Sequence, residues 1–316
     1  KTIQQEKLNN QVAELDVATS ENNIQESIAQ VYIQILYAAE SVKVNESTLQ
    51  VSIAQRDRGQ ELLNAGSIAK SDFAQLEAQV STDRYQLVTA QATLEDYKLQ
   101  LKQLLELDGE NEMNIYLPAL SDENVLAPLP TKKDVYIRAL SLRPEIEASK
   151  LNVEASELGI GIAKSSYLPT ISLSAGIGTN HTSGSDFTFG EQVKNGWNNS
   201  IGLSVSVPIF NNRQTKSAVQ KAKLQYETSM LSLLDEQKTL YKTIEGLWLD
   251  ANSAQQRYAA ANEKLKSTQI SYELISEQFN LGMKNTIELL TEKNNLLQAQ
   301  QEQLQAKYMA ILNMQL

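Results

Sequence analysis

The chain has 316 residues, no cysteine, one histidine and a formal net charge of −10. The lack of cysteine excludes disulfides and thiolate metal sites, and a single histidine argues against a conventional catalytic triad or a structural zinc site. The acidic balance repels phosphate backbones, so nucleic acid is not an expected partner.

The first 107 residues predict a long helix, a glycine turn and a returning helix. Residues 1–64 are predicted to form one long helix of roughly 90 Å. Between Ile24 and Leu49 its mainly apolar stripe advances in alternating steps of four and three, which is typical of a coiled-coil seam. Gly66 interrupts this pattern, and Ser71 with Asp72 can cap the next helix. The return helix is predicted to end near Leu107, before Asp108 and Gly109.

Residues 108–133 read as an irregular connector because three prolines lie in it, namely Pro118, Pro128 and Pro130. A helix over about 132–166 follows. It is interrupted at Arg143-Pro144, where proline can start a new helix at its first turn.

After this helix, the spacing of apolar residues changes from a helical period to a period of two residues. Apolar residues alternate with small polar ones before and after a Gly/Ser/Asn-rich loop over 180–196, and these residues are Ile171, Leu173, Ala175, Ile177, Ile201, Leu203, Val205, Val207 and Ile209. This pattern predicts a hairpin of two strands, each about ten residues long. His181 lies in the loop and is expected to be a solvated side chain rather than a metal ligand.

A second long helix is predicted from about Arg213 to Phe279, followed by a return helix from about Thr286. Gly282 lies 216 positions after Gly66, and the apolar stripe upstream of Gly66 recurs at the same offset. A duplicated unit of long helix, glycine turn and returning helix indicates a scaffold rather than an enzyme core.

Two interpretations of the β-hairpin are open. Taken alone, the alternation fits a soluble hairpin with one face on a core. It also fits transmembrane strands that are apolar toward lipid and polar toward a lumen. The long helical arms favour this second interpretation, because they offer no core for such a hairpin to cover. Two strands cannot close a barrel, so a membrane-spanning hairpin requires a barrel shared between chains.

Five segments in this order resemble the TolC-type outer membrane efflux proteins. They are Ala65–Asp72, Leu142–Ile146, Tyr167–Ile171, Val205–Phe210 and Leu281–Leu290. The resemblance covers essentially the whole chain. It implies a mainly α fold with one β-hairpin, in which coiled-coil α-hairpins build a trimeric α-barrel tunnel and the strands contribute to a shared transmembrane β-barrel.

The resemblance also implies a function and partners. The protein would be the outer-membrane channel-tunnel of a tripartite efflux or type I secretion system, a homotrimer embedded in outer membrane lipid with its helical tunnel in the periplasm. A periplasmic adaptor, or membrane fusion protein, and an inner-membrane transporter would dock to open it. No catalytic residue, metal or cofactor is expected. The family pattern further leads us to expect a signal peptide, a first helix and a first β-hairpin before Lys1.

The resemblance divides the chain into five predicted segments. These are a first helical hairpin at 1–107 with its tip near 64–72, an equatorial connector at 108–133, a helix leading to the barrel at 134–166, a transmembrane β-hairpin at 167–212 with an external loop at 180–196, and a second helical hairpin at 213–316 with its tip near 280–288.

The two tips are the expected periplasmic gate. Ser71 and Asp72 match the polar pair of the family's first tip, and Lys284 matches a basic residue of the second. We expect Lys284 to pair with Asp72 or Ser71 and so hold the entrance shut, although Asp72 and Ser71 can also serve only as helix caps. Phe279 stands where the family often has a tyrosine that links the tips, and phenylalanine has no hydroxyl for that bond.

Glu288 matches an aspartate of the family's gate, and three copies would form a carboxylate ring that favours cations and raises its own pKa. Thr291 occupies the second acidic position, so a second ring is not expected. The alternative for Glu288 is an ordinary exposed helix charge. Gly66 and Gly282, with the adjacent Ser67 and Met283, are expected to form the tip turns and the adaptor-docking surface.

A second class of function is also consistent with two long α-hairpins. A periplasmic coiled-coil adaptor, or another interaction protein without a pore, uses such hairpins too. Known adaptors carry one α-hairpin flanked by compact β-domains, whereas this sequence predicts two α-hairpins and one strand pair.

Overall fold

The computed structural model describes residues 1–107, 115–116, 125–184 and 186–315. The elements are α1 (Thr2–Asn64), α2 (Lys70–Leu104), α3 (Lys132–Leu142), α4 (Pro144–Ser165), β1 (Thr170–Gly178), α5 (Phe189–Asn195), β2 (Asn198–Ser206), α6 (Gln214–Asn280) and α7 (Thr286–Gln315). The fold class is therefore mainly α with one β-hairpin, as predicted.

The helix boundaries follow local sequence signals. Pro144 occupies the first turn of α4 with Arg143 as its N-cap, which confirms the predicted interruption. Helix α2 begins at Lys70 with Ala69 as its N-cap, so Ser71 and Asp72 lie in the first turn rather than at the N-cap itself. The predicted stop at Asp108-Gly109 and most of the 108–133 connector lie outside the described residues. The five-segment division stays a prediction.

Contacts between Cα atoms group the chain into two compact units. The first comprises Lys1–Val17 and Arg143–Gln237. In it, the start of α1 packs on α4, where Gln5 Nε2 donates to the carbonyl oxygen of Ala155 at 3.0 Å. Ile146, Ala148, Ala155 and Val219 supply its buried apolar side chains.

The second unit comprises Ala18–Leu142 and Lys238–Leu316. One cluster of buried side chains joins Ile33, Leu36, Leu304 and Tyr308, and another joins Val125, Ala254, Tyr258 and Ala310. Gln255 Nε2 donates to the carbonyl oxygens of Val125 (3.0 Å) and Ala127 (2.8 Å). The described end of the connector is thus fixed to α6.

Strands β1 and β2 pair antiparallel in a register that runs from Thr170 opposite Ser206 to Gly178 opposite Asn198. The predicted second strand was placed too late, since Val207 and Ile209 lie beyond β2. Pro208 has no N–H to donate, so pairing does not continue past this point. The predicted loop over 180–196 contains the short helix α5.

Candidate gate at the hairpin tips and candidate membrane hairpin

Both helical hairpins turn through the same backbone motif. At the first tip, the N–H of Gly66 donates to Leu63 O (2.9 Å) and that of Ser67 donates to Leu62 O (2.8 Å). Gly66 has a φ of +75°, in the left-handed region. These bonds define a Schellman motif, in which glycine after the helix end satisfies the last free carbonyls.

The second tip repeats this geometry at the offset of 216. The N–H of Gly282 donates to Phe279 O (2.9 Å), that of Met283 donates to Gln278 O (2.8 Å), and the φ of Gly282 is +74°. The predicted tight turns at both glycines are confirmed. The sequence repeat therefore extends to individual hydrogen bonds.

The helix after the first tip is only half capped. Asp72 accepts a bond from the N–H of Ala69 at 3.3 Å, in the position of the acidic residue of a capping box. Ala69 has no side-chain acceptor with which to return a bond. Ser71 is exposed, and its hydroxyl makes no hydrogen bond among the described residues. Asp72 therefore serves as a helix cap within this chain.

The helix after the second tip carries a complete capping box. Asn285 Oδ1 accepts from the N–H of Glu288 (2.9 Å), and Glu288 Oε2 accepts from the N–H of Asn285 (3.2 Å). Lys284 Nζ lies 2.5 Å from Glu288 Oε1 in an i,i+4 ion pair. Both carboxylate oxygens of Glu288 are therefore engaged within the chain.

The surroundings of Glu288 favour its charged form. The ammonium of Lys284 and the N–H of Asn285 lower the pKa of Glu288 below its usual value. A carboxylate ring was expected to raise this pKa through repulsion between chains. Within one chain each Glu288 carries its own cation, which would reduce that repulsion.

Within this chain Lys284 contacts neither Asp72 nor Ser71 in the part that the structure describes; its acidic partner is Glu288. A closing contact between the tips of neighbouring chains stays a prediction.

The remaining predicted tip residues divide into buried and exposed side chains. Phe279 is only 3% exposed, so it fills a core position. Thr291 is exposed and its hydroxyl donates to Ile287 O at 2.8 Å. Ser67 is exposed, and so is Met283. The gate and docking roles of these residues stay predictions.

Two features of the helical hairpins were not predicted from the sequence. Asp72 and Glu288 are themselves 216 positions apart and occupy the same place in their helices, a match that the offset could have revealed. The second is a buried charged cluster of Ser52, Asp83 and Lys293. Its only signal was that Asp83 falls on the apolar stripe of α2.

The β-hairpin has two chemically distinct faces. Cross-strand pairs Ile171–Val205, Leu173–Leu203 and Ala175–Ile201 share one face, whereas Ser172–Ser204, Ser174–Gly202 and Gly176–Ser200 share the other. Every residue of both strands is exposed, with Leu173 at 75% and Ile201 at 84%. No described part of the chain covers the apolar face.

The loop between the strands has its own hydrogen-bonded structure. Gln192 Oε1 accepts from the N–H of Thr182 (2.8 Å) and lies 3.1 Å from His181 Nδ1. His181 also stacks edge-on against Phe189, with 5.3 Å between ring centroids. The only histidine thus orders an exposed loop. No cluster of potential metal ligands occurs in the described ranges.

None of the helices described here is both long enough and apolar enough to cross a membrane.

Comparison with known proteins places the chain in a family. A family model described as outer membrane efflux protein matches residues 135–313. The outer membrane efflux protein BepC of Brucella suis is 24% identical over 91% of this chain and 60% of its own length. The outer membrane protein TolC of Escherichia coli is 23% identical over 96% of this chain and 62% of its own length. The chain thus spans about three fifths of these relatives.

Solved structures show the same fold. The structure of CusC, described as forming a transmembrane channel, superposes with a TM-score of 0.81 over 98% of this chain and 70% of that one, at 18% identity. Since the family model covers more than half of the sequence, the chain belongs to the outer membrane efflux protein family.

Proposed function

We propose that this chain is part of an outer-membrane exit duct of an efflux or type I secretion system. Three copies assemble so that their β-hairpins, within 167–212, contribute to one transmembrane barrel. The helical hairpins at 1–107 and 213–316 form a tunnel in the periplasm. The duct is passive and has no catalytic role, because its task is to provide a path rather than to change a bond.

The observation that carries this proposal is the uncovered apolar face of the β-hairpin. A soluble hairpin buries one face on a core, yet all eighteen strand positions are exposed within the described chain. An aliphatic face opposite a Ser/Gly face suits strands that separate lipid from water. At about 25 cal/mol per Å², leaving such a face in water is costly, so lipid is its natural cover.

Assembly with other chains follows from the free edges of the sheet. The described residues hold two strands, and each has one edge without a hydrogen-bonding partner. Unpaired backbone groups cannot sit in hydrocarbon, where each costs several kcal/mol. The edges therefore require strands from elsewhere, and a symmetric trimer supplies them. The family membership supports this arrangement.

The helical tips supply the periplasmic entrance in this proposal. Gly66, Ser67, Gly282 and Met283 lie on the exposed turns that a periplasmic adaptor would contact, with an inner-membrane transporter below it. In the trimer, Lys284 of one chain would reach Asp72 or Ser71 of its neighbour. Because Lys284 already pairs with Glu288, closing the entrance would place it between two carboxylates.

Single-channel conductance of the intact, detergent-purified protein in planar bilayers tests the duct, with wild type compared to Glu288→Gln. Glutamine keeps an acceptor for the N–H of Asn285, so the capping box survives while the charge is lost. Cation-selective openings in wild type that become less selective in the variant are expected. Thr291→Ala is the matched control, since it changes the next predicted gate position, one turn further along α7, without removing a charge.

Two other outcomes are informative. Conductance that is insensitive to Glu288→Gln keeps the duct but moves the selective constriction to other residues. A well-folded trimer that never conducts would overturn the duct and favour an interaction protein without a pore.

A further inference from the structure

Five cations form a basic patch just beyond the strands, at the end of the β-hairpin that meets the long helices. They are Lys164 in the last turn of α4, Arg213 directly before α6, and Lys216, Lys221 and Lys223 in the first three turns of α6. All five belong to the first compact unit and all five are exposed. None of them is in an ion pair in the part of the chain that the structure describes.

The packing of α4 beside α6 brings the two helical ends of this patch to one level. Ser156 of α4 and Gln225 of α6 line the same groove. Helix α4 runs toward β1 and α6 runs away from β2, so Lys164 and Ser217 each lie eight residues nearer to the strands. Lys164 is therefore at about the height of Lys216, roughly 12 Å closer to the sheet than the groove.

The turn that carries Arg213 is anchored to α6. Asn211 Nδ2 donates to the hydroxyl of Thr215, and Thr215 is only 4% exposed. Thr215 and Val219 are the buried residues of the first turns of α6, whereas the cations lie on its exposed side. The basic patch is thus an exposed surface on a fixed support.

Exposed apolar residues separate each strand from the basic patch. Two lie between β1 and Lys164, and two lie between β2 and Arg213. These residues are Tyr167, Leu168, Ile209 and Phe210, and they are between 56% and 96% exposed. Along both strands the chain is therefore first aliphatic, then aromatic or apolar, and then cationic. The same order is found across a membrane, from hydrocarbon through the interface to the phosphate groups.

No carboxylate balances the basic patch in this part of the sequence. Residues 158–180 and 197–226 contain its five cations and no Asp or Glu, in a chain whose net charge is −10. Lys223 marks the far edge, because Glu227 lies one helical turn beyond it. The loop over 180–196, at the opposite end of the hairpin, has two acidic residues and one lysine. The excess positive charge is therefore confined to the end of the hairpin that joins the helices.

Neighbouring copies of these segments would not neutralise the patch either. In a symmetric trimer around the tunnel axis, residues at one height are copies of the same residues, so each neighbour brings the same cations. Exposed lysines also help to keep proteins in solution. Solubility alone does not require that the cations follow exposed aromatic and apolar residues on both strands.

We propose that the basic patch binds the phosphate groups of anionic phospholipids in the membrane leaflet next to the helices. Side chains of a helix tilt toward its N-terminus, which in α6 is the end beside the sheet. Arg213 and Lys216 should contribute most on that side, because attraction to a charged surface decays over roughly 8 Å at physiological salt. This inference rests on the proposed function, because it requires the hairpin to span the membrane.

Native mass spectrometry of the intact, detergent-purified protein measures assembly and bound lipid together. Trimers of the wild type, mixed with equal amounts of phosphatidylglycerol and phosphatidylcholine, should retain mainly phosphatidylglycerol. Arg213→Gln combined with Lys216→Gln should weaken phosphatidylglycerol binding roughly tenfold, since each cation near an anionic surface adds a several-fold attraction. Binding of phosphatidylcholine should not change. Both residues are exposed, so the mass of the trimer should persist.

Two further double variants serve as controls. Lys7→Gln with Lys150→Gln removes the same number of charges from the first compact unit, further from the strands. Lys150 lies 14 residues before Lys164, roughly 21 Å along α4. This control should bind phosphatidylglycerol as the wild type does. Arg213→Lys with Lys216→Arg keeps both charges and should also retain the lipid.

Three outcomes would contradict the proposal. Equal retention of the two lipids by the wild type, or an equal loss in the double variant and in its control, would overturn lipid binding by the patch. Conductance in planar bilayers separates this result from the duct, because a protein that conducts without distinguishing the lipids keeps the duct and overturns the patch. A protein that never enters bilayers of either lipid would overturn the duct and the patch together.

Discussion

At the scale of single residues, the structure of each tip depends on a glycine with a positive φ, and the second tip also depends on one lysine. Gly66 and Gly282 occupy left-handed positions, and Asp72 and Glu288 cap the helices that follow. Only Glu288 also has a lysine partner. The same acidic position therefore acts as a simple cap in one tip and as a cap within an ion pair in the other.

The first prediction concerns the pH dependence of the second tip. The pKa of Glu288 is lower in the folded tip than in the unfolded chain. The ionised carboxylate therefore stabilises the tip at pH values above 4.5, the ordinary pKa of this group. This contribution is lost as the pH falls from that value through the folded pKa. Hydrogen exchange of the tip peptide, corrected for the intrinsic rate, should therefore accelerate below pH 4.5. Glu288→Gln should remove that dependence, and its persistence in the variant would contradict the assignment.

The second prediction separates two glycines that both face open space. Added Cβ atoms at Gly282 and Gly246 meet nothing within 4 Å, yet only Gly282 has a positive φ. Gly282→Ala should thus destabilise the tip by about 1–2 kcal/mol. Gly246→Ala, inside α6, should stabilise that helix by about 0.5–1 kcal/mol. Hydrogen exchange of the peptides that contain each position measures both changes, and effects of the same sign would contradict this account.

At the scale of elements, the β-hairpin stands apart because no residue in the described part of the chain covers its apolar face. Successive residues of a strand lie on opposite faces of the sheet, so Leu203 is on the apolar face and its neighbour Ser204 is on the polar face. This offers a test in which the position along the strand is nearly constant and only the face changes.

The third prediction is that Leu203→Lys and Ser204→Lys behave oppositely. A lysine on the lipid face near the bilayer centre costs about 2–4 kcal/mol per chain, so Leu203→Lys should reduce the amount of trimer inserted in the outer membrane. Ser204→Lys places the charge in the lumen, where it should permit assembly and reduce cation selectivity. Membrane fractionation and conductance measure the two effects. Normal assembly of Leu203→Lys would contradict a lipid-facing surface.

How far the sequence predicted these elements depended on periodicity. Apolar steps of four and three predicted α1, α2 and α6, a repeat of seven predicted α7, and alternation with a period of two predicted the hairpin. These periods can be read from the sequence because each depends on which side chains are apolar. The end of β2 was misplaced because alternation continues to Ile209 although pairing stops at Ser206. Helix α5 was missed because seven residues show no helical period.

The site was less predictable than the fold. Turn glycines were identified because only glycine suits a positive φ, but contacts between distant helices leave little local trace. Lys284 was expected to reach the first tip, and within the chain it pairs with Glu288 one helical turn away. The burial of Lys293 was not predicted, because a lysine on a helix is normally exposed.

At the scale of the whole molecule, a duplicated unit acquires different properties in its two copies. The two turns make the same backbone hydrogen bonds. Their side chains differ, because Ala69 and Ile68 of the first tip correspond to Asn285 and Lys284 of the second. The second tip is therefore held by two more polar side chains than the first. In a threefold assembly this difference gives two kinds of tip that alternate around the entrance.

The last prediction tests that threefold arrangement through Glu288. If three copies of Glu288 surround one path, trimers that mix wild-type and Glu288→Gln chains should show one selectivity level for each possible number of substituted chains. Each lost carboxylate removes one charge from the ring, so cation selectivity should fall stepwise. Differently tagged chains, co-expressed and purified through both tags, isolate the mixed trimers for planar-bilayer recording. Thr291→Ala chains, mixed in the same way, should show the wild-type level alone. A single level in the Glu288→Gln mixtures would mean that the three carboxylates do not share one path.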